Sequence, residues 1–374
     1  MTLSLEAFRG HFTSDSSLIH FNNAGQAPVP DVNRDEICLW AERFYREGAH
    51  AAMEGWGRTE IVRGGLARFL GAHVDEVAYF QTTASALSQA AFGLPLLPGD
   101  EVLTWDQEYP SNFYPWREAC SRAGAELIQV PSQNWETPVS ALLERVTPRT
   151  KAIAVSWVQY QTGAVTDLSA LSEALRGRDI WLIADVIQGV GIRPFHFHQS
   201  GFDIVCGGSH KWLCSSYGAG FMLVKKERFA DLLPIEVGAM TYGTPETPKS
   251  MSIQPRSTAS RYEPGSKAMV EVLALGKTLE LFEQVGIEKI FAEACRLADL
   301  LRQGLRDLGY QLHCTSGPIV NFSPRDLSDL ESVEKKLSIG GVGFARRGPG
   351  VRLSIHAFNR ESEVARVISL LSPS

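Results

Sequence analysis

Between about residues 65 and 225, short apolar runs alternate with helical stretches, and this alternation constrains the fold more than any single motif. The runs fall at 77–80, 101–104, 126–130, 152–156, 180–185, 204–206 and 221–224. Strands separated by helices pair in parallel, with the helices covering both faces of the sheet. Any ligand of such a sheet belongs at the carboxyl ends of its strands.

The chain of 374 residues is long enough for two domains. A stretch rich in Pro, Ser, Thr and Gly at 241–265 reads as an irregular connection, with helical patterning at 269–281 and 287–308 beyond it. The expected division is an N-terminal segment 1–20 packing with the small domain, a large domain 21–254 and a small α+β domain 255–374. With 36 basic against 42 acidic residues the chain offers no basic stripe for nucleic acid. No apolar run approaches the ~18 residues of a membrane span. The first residues show neither a signal-peptide core nor a basic transit pattern, so a cytoplasmic enzyme is expected. Six cysteines without a CxxC pair read as reduced thiols, with no disulfide framework and no metal site.

The run 204–206 leads into Gly207-Gly208-Ser209-His210-Lys211. A lysine at the end of a buried strand costs several kcal/mol unless it is deprotonated or covalently engaged. The run 180–185 closes on Asp185, with Gln188 one helical turn on. An acid at one strand end and a lysine at the next are what pyridoxal phosphate requires. The lysine forms a Schiff base with the aldehyde, and the acid keeps the pyridine nitrogen protonated. Thr82-Thr83-Ala84-Ser85, between the run 77–80 and a helix, supplies hydroxyls and backbone N–H groups suited to a phosphate.

Asp185-Val186-Ile187-Gln188 and Ser209-His210-Lys211 resemble the Asp-x-x-Gln and Ser-His-Lys motifs of class V, fold-type I aminotransferase-like enzymes. That group includes cysteine desulfurases, isopenicillin N epimerase, kynureninase and hercynylcysteine sulfoxide lyase. The resemblance runs from Phe21-Asn22-Asn23 to Arg352-Leu353-Ser354-Ile355-His356. It implies an α/β fold with a large, mostly parallel seven-stranded sheet and a small α+β C-terminal domain. It also implies catalytic roles for Lys211, Asp185 and His210. Thr83, Ala84, Ser85 and Ser209 are expected at the phosphate, Tyr109 on the cofactor ring, and Gln188 at its phenolic oxygen. The family's asparagine near that oxygen is missing, which leaves the place to Tyr160 or Gln161. Ser266, in Glu263-Pro264-Gly265-Ser266, would reach the phosphate of a partner subunit, implying a homodimer with shared sites. Arg352 would fork onto a substrate α-carboxylate, with Asn23, His50 and Gln161 completing the expected substrate set. Arg346 and Arg347 read as surface charge.

The resemblance implies an amino-acid substrate processed through an external aldimine and a quinonoid. The step after α-proton removal stays open between β-elimination, transamination and epimerisation. Cysteine desulfurases carry a nucleophilic cysteine in a mobile loop before the carboxylate-binding arginine. Here the corresponding stretch, Gly343-Phe344-Ala345-Arg346-Arg347-Gly348-Pro349-Gly350, is short and thiol-free. That absence and Tyr109 favour a carbon–sulfur lyase, with aminotransferase and epimerase as alternatives. A transcription regulator on this fold would need a DNA-binding module of ~60 residues, whereas the enzyme motifs begin at Phe21.

Overall fold

The computed structural model describes residues 3–12, 17–242, 254–313 and 316–372. Cys314 and much of the stretch 241–265 lie outside the described residues. Each of the expected apolar runs is a strand: β1 (Val77–Phe80), β2 (Glu101–Trp105), β3 (Glu126–Val130), β4 (Thr150–Ser156), β5 (Trp181–Asp185), β6 (Ile204–Gly208) and β7 (Gly220–Val224). They form one sheet in the order β1-β7-β6-β5-β4-β2-β3. Strands β2 to β6 run parallel, and β7 is antiparallel to both β6 and β1.

The period of two in these strands divides their side chains between two cores. Leu103, Val155, Ala184 and Val205 pack on one face, and Val102, Ala154, Ile183 and Ile204 on the other. Both faces are therefore apolar, as a parallel sheet covered by helices requires. Fully burying one such Val, Leu or Ile contributes roughly 1.5–3 kcal/mol. The register also sets the site. Ser156 stands opposite Asp185, and Asp185 opposite Cys206, so β4, β5 and β6 end nearly level.

A second sheet is antiparallel, in the order β10-β11-β9-β8, from β8 (Gln311–His313), β9 (Ile319–Ser323), β10 (Ala345–Arg347) and β11 (Gly350–Ser354). The helices Ile287–Asp307, Leu330–Ile339 and Glu361–Leu371 back it through Leu297, Leu301, Leu337 and Val367. Ile19 and Phe21 enter the same core, and bridges Ile19↔Val342 and Asn22↔Ser354 lay the chain before residue 23 along this sheet. The helix Met269–Val285 joins the two bodies. Val272, Leu275 and Leu279 pack under the large sheet, while Leu281, Phe282 and Val285 share a core with Trp212 and Phe358.

The outer edge of β1 would expose unpaired backbone groups. Instead, the Tyr79 N–H donates to Glu263 Oε1 at 2.9 Å, and Arg63 donates to Glu263 at 2.5 Å and to the Val77 carbonyl at 2.7 Å. Both side chains of this ion pair are buried, and Lys267 adds a third charge 3.3 Å from Glu263. Removing one partner of a buried pair strands the other charge. Glu263→Ala should therefore lower stability by about 3–5 kcal/mol, measured from urea unfolding curves. The apolar double variant Arg63→Met/Glu263→Leu should recover much of that loss. A Glu263→Ala protein within ~0.5 kcal/mol of wild type would show that the edge is held by other contacts.

Candidate active site

A cavity of about 350 Å³ opens at the carboxyl ends of β5 and β6, where Arg352 of the small sheet faces Asp185 and Lys211 of the large one. The route of the chain to Lys211 depends on two glycines. A Cβ on Gly208 would lie 2.7 Å from Thr83 Oγ1, and one on Gly207 would lie 2.4 Å from the Phe221 ring. Past them the backbone turns and delivers Lys211, a residue only 9% exposed. Burial pulls its ammonium down to about 8, with Arg352 and Arg347 acting in the same direction and Asp185 against them. About a tenth of the amine is then neutral at pH 7, against well under a thousandth for an exposed lysine. Burial likewise pushes the Asp185 carboxyl up to about 6, opposed by the Ile187 N–H at 2.9 Å and by Lys211. A cation placed against Asp185 would restore its ionisation.

Thr83 and Ala84 line the cavity at the first turn of the helix Thr83–Gly93, where backbone N–H groups have no helical partner. The Thr83 hydroxyl oxygen is buried with no hydrogen-bond partner. Thr82 caps the helix by accepting from the Ser85 N–H at 3.0 Å. Ser85 itself faces a separate small cavity shared with Gly265 and Ser266. The Ser209 hydroxyl donates to the Ser216 carbonyl at 2.7 Å and does not line the site.

Above the strand ends the Lys211 Nζ lies 5.4 Å from the centroid of the Tyr109 ring, and Tyr160 meets Tyr109 edge-on at 5.1 Å. Burial raises the Tyr160 phenol above its ordinary range, so it stays protonated near neutral pH. Gln188 lines the cavity with its amide already engaged, donating to the Ala24 carbonyl at 3.0 Å and accepting from the Trp212 indole at 2.8 Å. His210 stacks on Tyr217 at 4.5 Å, and burial pulls its imidazole down to about 4, so the ring is neutral at pH 7.

Arg352, on β11, is buried. Its Nη1 donates to the Tyr160 carbonyl at 2.6 Å and its Nη2 to Asn22 Oδ1 at 3.0 Å, while its Nε has no partner. Among the described residues no carboxylate lies within ion-pair reach of it. Burial and Arg347 pull this guanidinium down to about 10, still a cation at neutral pH. An unneutralised buried charge costs several kcal/mol, so the cavity is poised for an anion beside Arg352.

Several expected residues stand elsewhere. Asn23 is buried with its amide on the Ser354 carbonyl at 2.8 Å, outside the cavity lining. The Gln161 carbonyl accepts from Asn321 at 2.9 Å, and Gln161 does not line the site. His50 is exposed on the helix Ala49–Leu70; Ser266, expected at a partner subunit's phosphate and not in this chain's own cavity, is exposed outside that cavity. Asn22, Ser111, Tyr217 and Arg347 line or complete the site without having been expected there. The signal for Asn22 was its place in the same Asn-Asn pair. The Asn22↔Ser354 bridge decides which neighbour faces Arg352. Arg347 is exposed, as a surface charge would be, yet it also lines the cavity. No thiol does so among the described residues. Cys206 and Cys214 are buried, and burial pushes both thiols well above their ordinary range.

A lysine and an aspartate at adjacent strand ends, beneath a helix N-terminus with an unpaired threonine hydroxyl, define a pyridoxal-phosphate enzyme of the fold-type I class. The chain belongs to the family described as "Aminotransferase class-V", which it matches over residues 26–367. Among curated relatives, a probable cysteine desulfurase of Pyrococcus abyssi is 24% identical, over 95% of this chain and 93% of its own. An uncharacterized aminotransferase of Bacillus subtilis is 25% identical, over 83% of this chain and 82% of its own. Among solved structures, the cystine C–S lyase C-DES with its reaction product cysteine persulfide superposes with a TM-score of 0.88 at 20% identity, covering 95% of this chain and 98% of that one. The cysteine desulfurase of Thermococcus onnurineus NA1 does so with 0.88 at 19% identity, covering 97% and 96%.

Pyridoxal phosphate is the cofactor, and the residues present fit it. The orphaned Thr83 hydroxyl and the helix N-terminus suit its phosphate, Asp185 its pyridine nitrogen, and Lys211 its aldehyde. Only the neutral amine attacks an aldehyde. Covalent capture of added pyridoxal phosphate by apoprotein should therefore quicken about tenfold per pH unit below about 8, then level off. Absorbance at the cofactor band follows this directly, and Lys211→Ala should show no capture. A rate still climbing tenfold per unit beyond pH 9 would mean that Lys211 behaves as an exposed lysine.

Proposed function

We propose that this enzyme is a carbon–sulfur lyase, cleaving the bond from Cβ to sulfur in an α-amino acid, and that it works as a cytoplasmic homodimer. The observation that carries the reading is the buried, unneutralised Arg352 facing Lys211 across a cavity whose described lining contains no thiol. The turn between β10 and β11 spans just Gly348 and Pro349. A turn that short has no room for a mobile loop bearing a nucleophile. The names of the desulfurase and C–S lyase relatives support sulfur chemistry, and the missing thiol argues against storing that sulfur on the protein.

When bound, pyridoxal phosphate supplies an electron sink for the substrate's α-carbon. The chain's residues do the rest. The Arg352 fork holds the α-carboxylate and fixes the α-carbon near Lys211. Lys211, held partly neutral by burial, would take the α-proton as a base. Asp185, as a carboxylate, would hold the proton on the pyridine nitrogen. Thr83 and the first turn of its helix hold the phosphate, and the Tyr109 ring covers the site from above. Lys211, now protonated, returns its proton to the departing sulfur, and the three-carbon product hydrolyses to pyruvate and ammonia. Ser266, exposed and outside this chain's cavity, suits a role at the partner subunit's phosphate.

Transamination is the second reading, favoured by the relative named as an aminotransferase. The two are separated by supplying a panel of β-substituted amino acids without a keto acid. The lyase should release pyruvate over many turnovers with its cofactor absorbance unchanged, and serine at each cysteine position in turn should leave turnover intact. Asp185→Asn should lose far more than tenfold of it, a barrier change above ~1.4 kcal/mol. A strict need for an added keto acid would establish the aminotransferase instead, and dependence on one cysteine would establish persulfide chemistry.

A further inference from the structure

Arg347 has no place in the cofactor and α-carboxylate roles proposed above. It lines the cavity that holds Lys211 and Arg352. Its backbone is fixed there by buried contacts. Asn321, fully buried on β9, donates to the Arg347 carbonyl at 2.8 Å and to the Gln161 carbonyl at 2.9 Å. Gly348, at φ +53°, seats the turn against Gln161 and Trp135, where a Cβ would approach Gln161 Oε1 to 2.5 Å. Arg352 is anchored to the preceding carbonyl, that of Tyr160. The Arg352 guanidinium thus rests on the Tyr160 carbonyl, while Asn321 ties the Arg347 backbone to the next carbonyl, that of Gln161, and both arginines line the one cavity.

The Arg347 side chain donates to the Arg346 carbonyl at 2.8 Å, and among the described residues no carboxylate pairs with it. Arg346, by contrast, reaches Glu334 at 3.8 Å. Inside the cavity the charges are otherwise assigned. Asp185 faces the pyridine nitrogen, Thr83 and its helix face the phosphate, and Arg352 takes the α-carboxylate. Arg347 is a cation left over, and it lies close enough to depress both Lys211 and Arg352. A guanidinium fork lining the same cavity as the carboxylate-binding one matches an anion carried further along the substrate.

We infer that Arg347 is a specificity-determining residue, and that the substrate is an α-amino acid whose side chain itself carries an acidic group: a carboxylate, sulfinate or sulfonate. The inference rests on the reading of Arg352 as the α-carboxylate site, and is independent of the type of reaction catalysed. Non-reacting acids test it in the holoenzyme by calorimetric titration. Succinate, with two carboxylates, should bind at least tenfold more tightly than propionate, with one. Arg347→Gln should cut that ratio at least tenfold, and Arg347→Lys by less. Propionate binding in the same variant reports whether the site is still formed, and Arg346→Gln should leave the ratio as in wild type. In turnover, S-carboxymethylcysteine, whose leaving thiolate carries a carboxylate, should surpass S-methylcysteine in kcat/KM, and that preference should vanish with Arg347→Gln. Equal affinities for the two acids in wild type, no measurable succinate binding, or a ratio indifferent to Arg347→Gln would each overturn the inference. Failure of the underlying reading looks different: propionate affinity would then be unchanged by Arg352→Lys.

Discussion

The guanidinium of Arg352 is the point at which the two sheets are held to a common purpose. It is rooted on β11, donates to Tyr160 beyond the end of β4, and donates again to Asn22 on the N-terminal segment. Three separate parts of the chain must therefore be in place before the charge is solvated at all. Its Nε still lacks a partner. A protein selected for stability alone would place an apolar residue there, since a well-packed hydrophobe replaces a buried charge at no loss. Retaining an under-satisfied cation makes sense when an anion completes its coordination during the working cycle.

The same reasoning orders the other ionisable groups. Burial pulls Lys211 down and pushes Asp185 up, so both are held nearer their neutral forms than they would be in water. Each is then most responsive to an incoming group of the right charge or reactivity: an aldehyde for the amine, a protonated ring nitrogen for the acid. His210, adjacent in sequence, is held neutral by the same burial and stacks on Tyr217. Its place in the wall is that of a flat, uncharged surface. The site is built from desolvation, and the strand register supplies the distances.

The large sheet was legible because its strands are apolar on both faces and short, so each run of four to seven residues announced itself. Lys211 and Asp185 were legible because strand ends are where a parallel sheet presents its side chains. Residues whose roles depend on tertiary detail were harder to read. Whether Asn22 or Asn23 meets Arg352 is set by one bridge to Ser354, and a one-residue slip reverses the two faces. Ser209 sits beside the motif lysine, yet a neighbouring carbonyl claims its hydroxyl. Arg347 reads as surface charge because it is exposed, and only the fold of its hairpin brings it into the cavity lining as well.

Glu108 shows how far this construction extends behind the visible wall. It precedes Tyr109 and is buried, which pushes its carboxyl up to about 7. It is surrounded by neutral donors: the Ser156 N–H at 2.6 Å, the Ser156 hydroxyl, Gln159 at 3.1 Å and Asn112 at 3.0 Å. These groups lie at the end of β4, just before Tyr160, and on the helix Pro110–Ala123 that comes directly after Tyr109. One carboxylate thus gathers the two loops that carry the facing tyrosines, and does so through hydrogen bonds with no opposing charge. A salt bridge in that position would have placed another cation near Lys211, Arg347 and Arg352 and further weakened the amine as a base. Holding the wall with neutral donors leaves the cavity's charge to Arg352, Arg347, Lys211 and Asp185.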